Sequence, residues 1–194
     1  MNDKNSLKEA YFDEVYGANT DPWNFETSLY EHQKYAVTMG ALTKLRYQNS
    51  FEIGCSIGVL SRLLASRTDK LLAVDAIEAP LVTAKNRLRN NLNVTIEKMI
   101  IPIEFGTDQY DLIVISEVAY YLNDADLKIL RQKTLKHLTV GGQLLMVHWT
   151  PPVHDYPQTG DSVHEYFLEL NDKTLIHLLH ERHATYRLDL FQKN

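Results

Sequence analysis

The sequence contains very little cysteine, because Cys55 is the only one among its 194 residues. No intramolecular disulfide can form, and no pairing of cysteines, or of cysteine with histidine, predicts a structural metal site. No run approaches the roughly 18 consecutive apolar residues of a transmembrane helix, and the first residues lack the apolar stretch of a secretion signal. We therefore expect a cytoplasmic protein with no metal and no membrane partner.

An excess of charge of either sign is also missing. The chain has 20 Lys and Arg against 25 Asp and Glu, which gives a formal net charge of −5. No cluster of basic residues stands out, although a non-specific nucleic-acid binder needs a basic face. The sequence therefore predicts no nucleic-acid partner, and its length predicts one domain. We expect a monomer or a homodimer.

Short apolar runs alternate with helical periodicity from residue 49 onward. This alternation predicts an α/β protein with a doubly wound, Rossmann-like and mostly parallel sheet that has helices on both faces. The predicted strands are 50–53, 71–74, 94–98, 112–115, 144–148 and 186–191. The predicted helices are 5–16, 29–46, 59–66, 80–91, 124–138 and 172–183, and 151–160 is predicted to be a loop.

A glycine turn follows the first predicted strand, in the pattern Glu52-x-Gly54-x-x-x-Gly58. Asp75 follows Gly58 by 17 residues and ends the second predicted strand, where an acid can accept hydrogen bonds from ribose hydroxyls. Ser56 stands where a dinucleotide-binding loop has its second glycine, and no third glycine follows, which disfavours an NAD-dependent oxidoreductase. The alternative is a plain β–α turn followed by a helix-capping aspartate.

Polar and titratable side chains also follow the later strands. Ser116 and Glu117 end the fourth predicted strand, at the edge where ligands bind in such sheets. His148 ends the fifth, where it is either a general base or a histidine satisfied by the backbone. His177, His180 and His183 share a helical spacing, which we interpret as exposed surface histidines rather than metal ligands.

Aromatic residues are frequent in the first 48 positions. Tyr11, Tyr16, Trp23 and Tyr30 either form a lid over a ligand or belong to a helical cap that buries them against the edge of the sheet. The two interpretations differ in whether these rings contact a ligand.

These motifs carry a family resemblance. The stretches that resemble class I S-adenosylmethionine (SAM) dependent methyltransferases are Glu52–Gly58, Asp75, 110–122 and 138–147. The runs that are similar to the nodulation protein S (NodS)-like branch are Tyr11-Phe12, Asp21-Pro22-Trp23 and the stretch from Glu117 to Leu122. The resemblance implies a seven-stranded sheet with an N-terminal helical cap, SAM as cofactor and S-adenosylhomocysteine (SAH) as product. It also divides the single domain into a cap or lid (1–48), a SAM-binding core (49–150) and an acceptor loop with a C-terminal helix and strand (151–194).

The resemblance further implies roles for individual positions. The implied cofactor contacts are Glu52, Gly54, Cys55, Ser56, Gly58, Asp75, Ala76, Ser116 and Glu117. The candidate catalytic residues are Glu117, Tyr120 and His148, and the candidate acceptor contacts are Trp23, Tyr30, Tyr121 and Trp149. One position departs from the family, because the stretch from Lys98 to Pro102 offers no carboxylate to the adenine amino group.

The function that the resemblance implies is methyl transfer to a small molecule. The NodS-like branch suggests N-methylation of an amino sugar in an oligosaccharide. Two alternatives stay open, namely a non-catalytic SAM-binding scaffold and an O-methyltransferase of another small metabolite.

Overall fold

The computed structural model describes residues 5–194 and contains one seven-stranded sheet. The first five strands along the chain pair in parallel, whereas the last strand pairs antiparallel with both the fifth and the sixth. The predicted α/β class and mostly parallel sheet are therefore confirmed. Within the described residues, no helix combines the length and the apolar character needed to cross a membrane.

The helices and strands have the following bounds. The strands are β1 Tyr47–Ile53, β2 Thr68–Asp75, β3 Val94–Lys98, β4 Tyr110–Ser116, β5 Leu138–Trp149, β6 Leu175–Arg182 and β7 Tyr186–Lys193. Their order in the sheet is β3-β2-β1-β4-β5-β7-β6. The α-helices are α1 Glu9–Ala18, α2 Leu29–Ala41, α3 Val59–Ala65, α4 Glu78–Leu88, α5 Asp124–His137 and α6 Gly160–Leu168, and a short 3₁₀ turn covers Ala119–Tyr121.

The centre of the sheet is buried on both faces. The run 112–115 in β4 is continuous in Leu, Ile and Val, and each of these residues is at most 1% exposed. Phe51 and Ile53 of β1 pack into one core cluster, and Tyr47 into the other. Such strands read as unbroken apolar runs because helices cover both faces of a parallel sheet. The strand ends that carry Gly54, Asp75 and Ser116 are therefore held on a rigid frame.

The C-terminal part corrects two predictions. The helix predicted at 172–183 is wrong, because these residues include β6, which forms the edge of the sheet beside β7. Leu175, Leu178 and Leu179 have helical spacing, but pairing with β7 overrides that local preference. The helix α6 follows the predicted loop and begins after Thr159, which forms a capping box with Ser162.

Among the boundaries that differ from the predictions, the end of α2 and the start of β5 differ most. The second helix ends at Ala41, before the predicted end at residue 46, because Leu42 is already extended. The fifth strand begins at Leu138 rather than at the predicted residue 144, and Gly141 and Gly142 lie inside it. Gly141 has a φ of +72°, a conformation that glycine adopts without a steric penalty.

Candidate functional site

A cavity of about 990 Å³ lies at the carboxyl ends of β1, β2 and β4. The ends of these three strands form its floor, and residues of α1, α2 and the loop between them form the opposite wall. Ligands bind at this edge of open parallel sheets. The cavity is therefore the candidate site, and it includes residues of the predicted N-terminal cap.

The glycine turn brings the backbone close to the cavity. Gly54 has a φ of +85°, and a Cβ there would lie 3.2 Å from the Ser116 carbonyl oxygen. Gly58 has a φ of +78°, and a Cβ there would lie 3.0 Å from the Ala84 side chain. Both positions require glycine, but only Gly54 lines the cavity. The structure thus places Gly58 at the start of α3, packed against α4 and outside the lining of the cavity.

Asp75 lies in the cavity wall beside the glycine turn. Its carboxylate accepts hydrogen bonds from the backbone N–H groups of Ser56 (2.9 Å) and Ile77 (3.1 Å). Burial raises the pKa of Asp75, and the backbone donors act against that shift. The adjacent Ala76 also lines the cavity, and the Tyr16 hydroxyl lies 2.6 Å from Ser56 Oγ. This corner offers a carboxylate, a hydroxyl pair and exposed backbone.

Glu52 and Cys55 lie behind the turn and do not line the cavity. Glu52 is 1% exposed, and its Oε2 has no hydrogen-bond partner among the described residues. Burial, together with the nearby charge of Asp75, raises the pKa of Glu52 to about 7. Because neither side chain reaches the cavity, the predicted direct cofactor contacts at these two positions lack structural support.

Glu117 is the most heavily bonded side chain of the cavity. Its Oε1 accepts from Lys34 Nζ at 2.7 Å, and its Oε2 accepts from the Tyr120 hydroxyl and the Trp149 backbone N–H, each at 2.8 Å. The backbone of Glu117 has a φ of +55°, which is uncommon for a residue other than glycine. Three donors thus hold the carboxylate in one place.

Lys34 and Glu31 were missed in the sequence. Lys34 is 3% exposed and also forms an ion pair with Glu31 at 2.9 Å, so it lies between two carboxylates. Burial acts to lower the pKa of Lys34, but the charges of Glu117 and Glu31 outweigh it and raise that pKa. The only sequence signal was a Glu–Lys pair three residues apart on α2, which is common on solvated helices.

Aromatic side chains form the rest of the wall. Trp23, Tyr30, Tyr121 and Trp149, the four predicted acceptor contacts, all line the cavity. The Tyr30 and Trp149 rings lie edge to face with centroids 6.3 Å apart, and the Tyr30 hydroxyl accepts from Thr185 Oγ1 at 2.9 Å. The rings therefore form a fixed surface of the kind that stacks against a planar or sugar-like ligand.

His148 is 0% exposed and does not line the cavity. Its Nε2 accepts from the Ala119 backbone N–H at 3.3 Å, and its Nδ1 lies 2.9 Å from His164 Nε2. Burial lowers the pKa of His148 well below its ordinary value, and His164 and Lys34 add to this effect. With both ring nitrogens engaged, the geometry favours the backbone-satisfied alternative over a general base.

The stretch without a carboxylate also lines the cavity. Met99, Ile100, Ile101 and Pro102 follow β3 and form an apolar side next to Asp75 and Ile77. A ligand group that lies there would meet apolar side chains and backbone. Of the predicted site residues, the cavity thus brings together Trp23, Tyr30, Gly54, Ser56, Asp75, Ala76, Ser116, Glu117, Tyr120, Tyr121 and Trp149.

A family model described as nodulation protein S matches residues 12–146 of this chain, which are 135 of its 194 residues. The nodulation protein S of Bradyrhizobium diazoefficiens is 34% identical over 107 residues, which cover 54% of this chain and 50% of that protein. The nodulation protein S of Rhizobium tropici is 29% identical over 132 residues, 66% of this chain and 55% of that protein. This chain thus spans about half the length of the curated relatives that it matches.

Two solved structures are also similar. A candidate methyltransferase from Pseudomonas syringae is 33% identical, with a TM-score of 0.75 over 86% of this chain and 100% of that one. The N-methyltransferase NodS from Bradyrhizobium japonicum WM9, in complex with SAH, has a TM-score of 0.83 over 95% of this chain and 97% of that one. At 21% identity, this second likeness concerns the fold alone.

Proposed function

The chain belongs to the nodulation protein S family, and we propose that it transfers a methyl group from SAM to an amine of a small acceptor. One observation carries this proposal. A single cavity of about 990 Å³ has the Asp75 carboxylate and the glycine turn at one side and the Glu117–Tyr120 pair with its aromatic wall at the other. That volume lies at the upper end of ordinary ligand pockets, of about 300–1,000 Å³, and suits two ligands side by side.

The cofactor half of the proposal rests on the strand ends. Asp75 would accept hydrogen bonds from the ribose hydroxyls, and Gly54 with Ser56 would lie against the amino-acid part of SAM. Ser116 and Glu117 would line the methionine side. The adenine would lie against Met99 and its apolar neighbours, which explains how the site could do without a carboxylate there.

The transfer itself needs alignment more than acid–base chemistry. The lone pair of the acceptor nitrogen forms a C–N bond to the methyl carbon as the C–S bond breaks, SAH leaves, and the product ammonium releases its proton to solvent. The sulfonium of SAM supplies the leaving group. The contribution of the protein is to hold both ligands in line and to exclude water.

Tyr120 is the side chain best suited to orient the amine. Burial, together with the charge of Glu117, raises the pKa of Tyr120 well above its ordinary value, so the hydroxyl stays protonated. It donates its hydrogen to Glu117, so its oxygen would act as the acceptor for a hydrogen of the acceptor amine. Glu117, already bonded by three donors, would hold Tyr120 in place rather than take a proton itself.

Calorimetry tests the cofactor half. SAM and SAH should bind to the purified chain, whereas NAD should not. Asp75→Ala should weaken SAM binding by about 1–3 kcal/mol, because ribose hydroxyls would lose a buried acceptor. Asp69→Ala is the matched control, since Asp69 lies outside this cavity in an exposed pair with Arg46. If SAM gives no heat with the folded protein, the proposal is wrong, and unchanged affinity in Asp75→Ala removes Asp75 from the site.

The acceptor is proposed to be an amino sugar within an oligosaccharide. The aromatic wall of Trp23, Tyr30, Tyr121 and Trp149 supports this, since sugar rings pack on aromatic faces. An amino-sugar oligosaccharide with a free amine should accept a labelled methyl group, and its N-acetylated counterpart should not. Equal transfer to both would indicate O-methylation, and SAM binding without transfer to either would favour the scaffold alternative. The cytoplasmic location and the monomeric or homodimeric state stay predictions.

A further inference from the structure

A second cluster of chemically capable side chains lies at the antiparallel edge of the sheet, outside the cavity. His177 Nε2 and His180 Nδ1 lie 2.7 Å and 2.8 Å from the same oxygen, Oδ1 of Asp189. All three potential ligand atoms lie within 4.8 Å of one another. Two imidazoles thus converge on one carboxylate oxygen.

A β-bulge produces this convergence. Residues three apart on a regular strand point to opposite faces, so His177 and His180 would normally diverge. In β6, however, the register shifts at Leu178: His177 pairs with Phe191 and His180 pairs with Asp189. Bulges re-aim side chains in this way and are frequent next to functional sites.

We propose that His177, His180 and Asp189 bind a divalent transition metal ion of the zinc type. Two imidazole nitrogens and one carboxylate oxygen match the preferences of Zn²⁺, whose bonds to these atoms are about 2.0–2.2 Å long. A metal ion would replace the hydrogens between the two rings and Oδ1, which requires only small outward movements of those rings. The set leaves further coordination positions for water.

The surroundings permit the extra charge. Oδ2 of Asp189 is occupied separately by His164 and by Arg187 Nε at 2.7 Å, so Oδ1 is the oxygen available to a metal. The positive charge of Arg187 is itself balanced by Glu165 at 2.6 Å. The carboxylate is fully buried, whereas the His180 side chain is 47% exposed, which gives an ion a path from solvent.

The His177 ring is also held in its orientation. It stacks on Phe191 with ring centroids 4.8 Å apart and an interplanar angle of 23°. A ligand that is fixed before the ion arrives loses less conformational entropy on binding. The site would join β6 to β7 and thereby stabilise the edge of the sheet.

Zinc titration of the untagged, EDTA-treated full chain tests the proposal. Calorimetry should show one Zn²⁺ per chain, Co²⁺ should show d–d absorption in the visible that is shifted and intensified relative to the hydrated ion, and Mg²⁺ should give no heat, because it prefers oxygen ligands. His177→Gln and His180→Gln should each lower Zn²⁺ affinity by at least about tenfold, as expected for loss of one of three ligands. The control is His183→Gln, because His183 follows β6 directly but is outside the three-residue set.

The outcomes separate clearly. Stoichiometric Zn²⁺ binding that survives His183→Gln but weakens in His180→Gln supports the site. Absence of binding, or equal binding in wild type and His180→Gln, overturns it and leaves a cluster held by hydrogen bonds alone. If His177→Gln does not fold, the half-exposed His180 decides the question, since circular dichroism can confirm that its variant is folded.

Discussion

Two buried carboxylates show how differently the two halves of the sheet use the same chemical group. Glu52 lies in the parallel half, where its Oε2 has no partner among residues 5–194 and its pKa is raised to about 7 by burial. Asp189 lies in the antiparallel edge, where it is bonded by His164, His177, His180 and Arg187. Burial alone would raise the pKa of Asp189, but these partners, His164 foremost, outweigh it and lower that pKa.

The difference concerns what each half is organised to do. A buried carboxylate oxygen without a hydrogen-bond partner costs stability, and such costs concentrate next to ligand sites. A buried carboxylate with every lone pair used holds its neighbours together. In the parallel half, burial of Glu52 therefore lowers the stability of the fold beside the cavity. At the antiparallel edge, the hydrogen bonds and ion pairs of Asp189 raise it.

The largest expected effect is at Asp189. Asp189→Asn should lower the free energy of unfolding by about 3–5 kcal/mol, because Arg187 and the histidines lose a buried charged partner. Urea denaturation in the presence of EDTA measures this without any contribution from metal. The control is Asp69→Asn, at an exposed residue that pairs with Arg46. It should lower the free energy of unfolding by at most about 1 kcal/mol. Similar small effects for both variants would remove the contrast between the two halves.

A smaller effect of opposite sign is expected at Glu52. Its pKa is near 4.5 in the unfolded chain and about 7 in the folded chain, so this group lowers stability progressively as pH rises from about 4.5 to about 7, and by a constant amount above pH 7. Glu52→Gln should therefore raise the free energy of unfolding by about 1–3 kcal/mol at pH 8, and by less than about 1 kcal/mol at pH 5. Denaturant unfolding at both pH values measures the gain.

The matched control for this variant is Glu97→Gln, an exposed position on β3 that should change stability little at either pH. Destabilisation by Glu52→Gln at pH 8 would contradict the comparison. It would mean that the ionised carboxylate is satisfied in the folded protein.

The smallest expected effect concerns His148 and the slope with which the free energy of unfolding depends on pH. Its lowered pKa means that the unfolded chain takes up a proton near pH 6.5 that the folded chain refuses. The free energy of unfolding should therefore fall as pH falls below about 6.5, by up to about 1.4 kcal/mol per pH unit from this group. His148→Gln should flatten that slope, whereas the exposed His32→Gln should leave it unchanged. An unaltered slope in His148→Gln would indicate that His148 already carries a proton in the folded protein.

The grouping of Gly54, Ser56 and Asp75 in one corner of the cavity could be predicted from the sequence because these residues are close together along the chain. Gly54, Ser56 and Asp75 belong to one β–α–β unit, and the required glycine conformations leave a visible pattern. The ion pair of Lys34 with Glu117 could not be predicted, since it joins residues 83 positions apart. Such contacts depend on how the N-terminal helices dock, which local patterns do not encode.

The helix predicted at the antiparallel edge was wrong for a different reason. Its leucines imitate a helical stripe, and the bulge at Leu178 is what turns a spacing of three into a shared face. The helix α6 did have a local signal, the Thr159–Ser162 capping box, which was overlooked at the end of the predicted loop 151–160. Tertiary pairing decided β6, whereas closer attention to capping would have identified α6.

The ion pair between Lys34 and Glu117 has a consequence for ligand traffic. Swinging α2 outward would break the ion pair between the buried Lys34 and the partly exposed Glu117, and would leave Glu31 as the remaining ion-pair partner of Lys34 among the described residues. The α2 helix is therefore expected to stay in place when ligands enter and leave the cavity. Of the described residues of α1, only Tyr16 is buried. The segment that moves to admit and release ligands is therefore expected to be α1 together with the loop that carries Trp23.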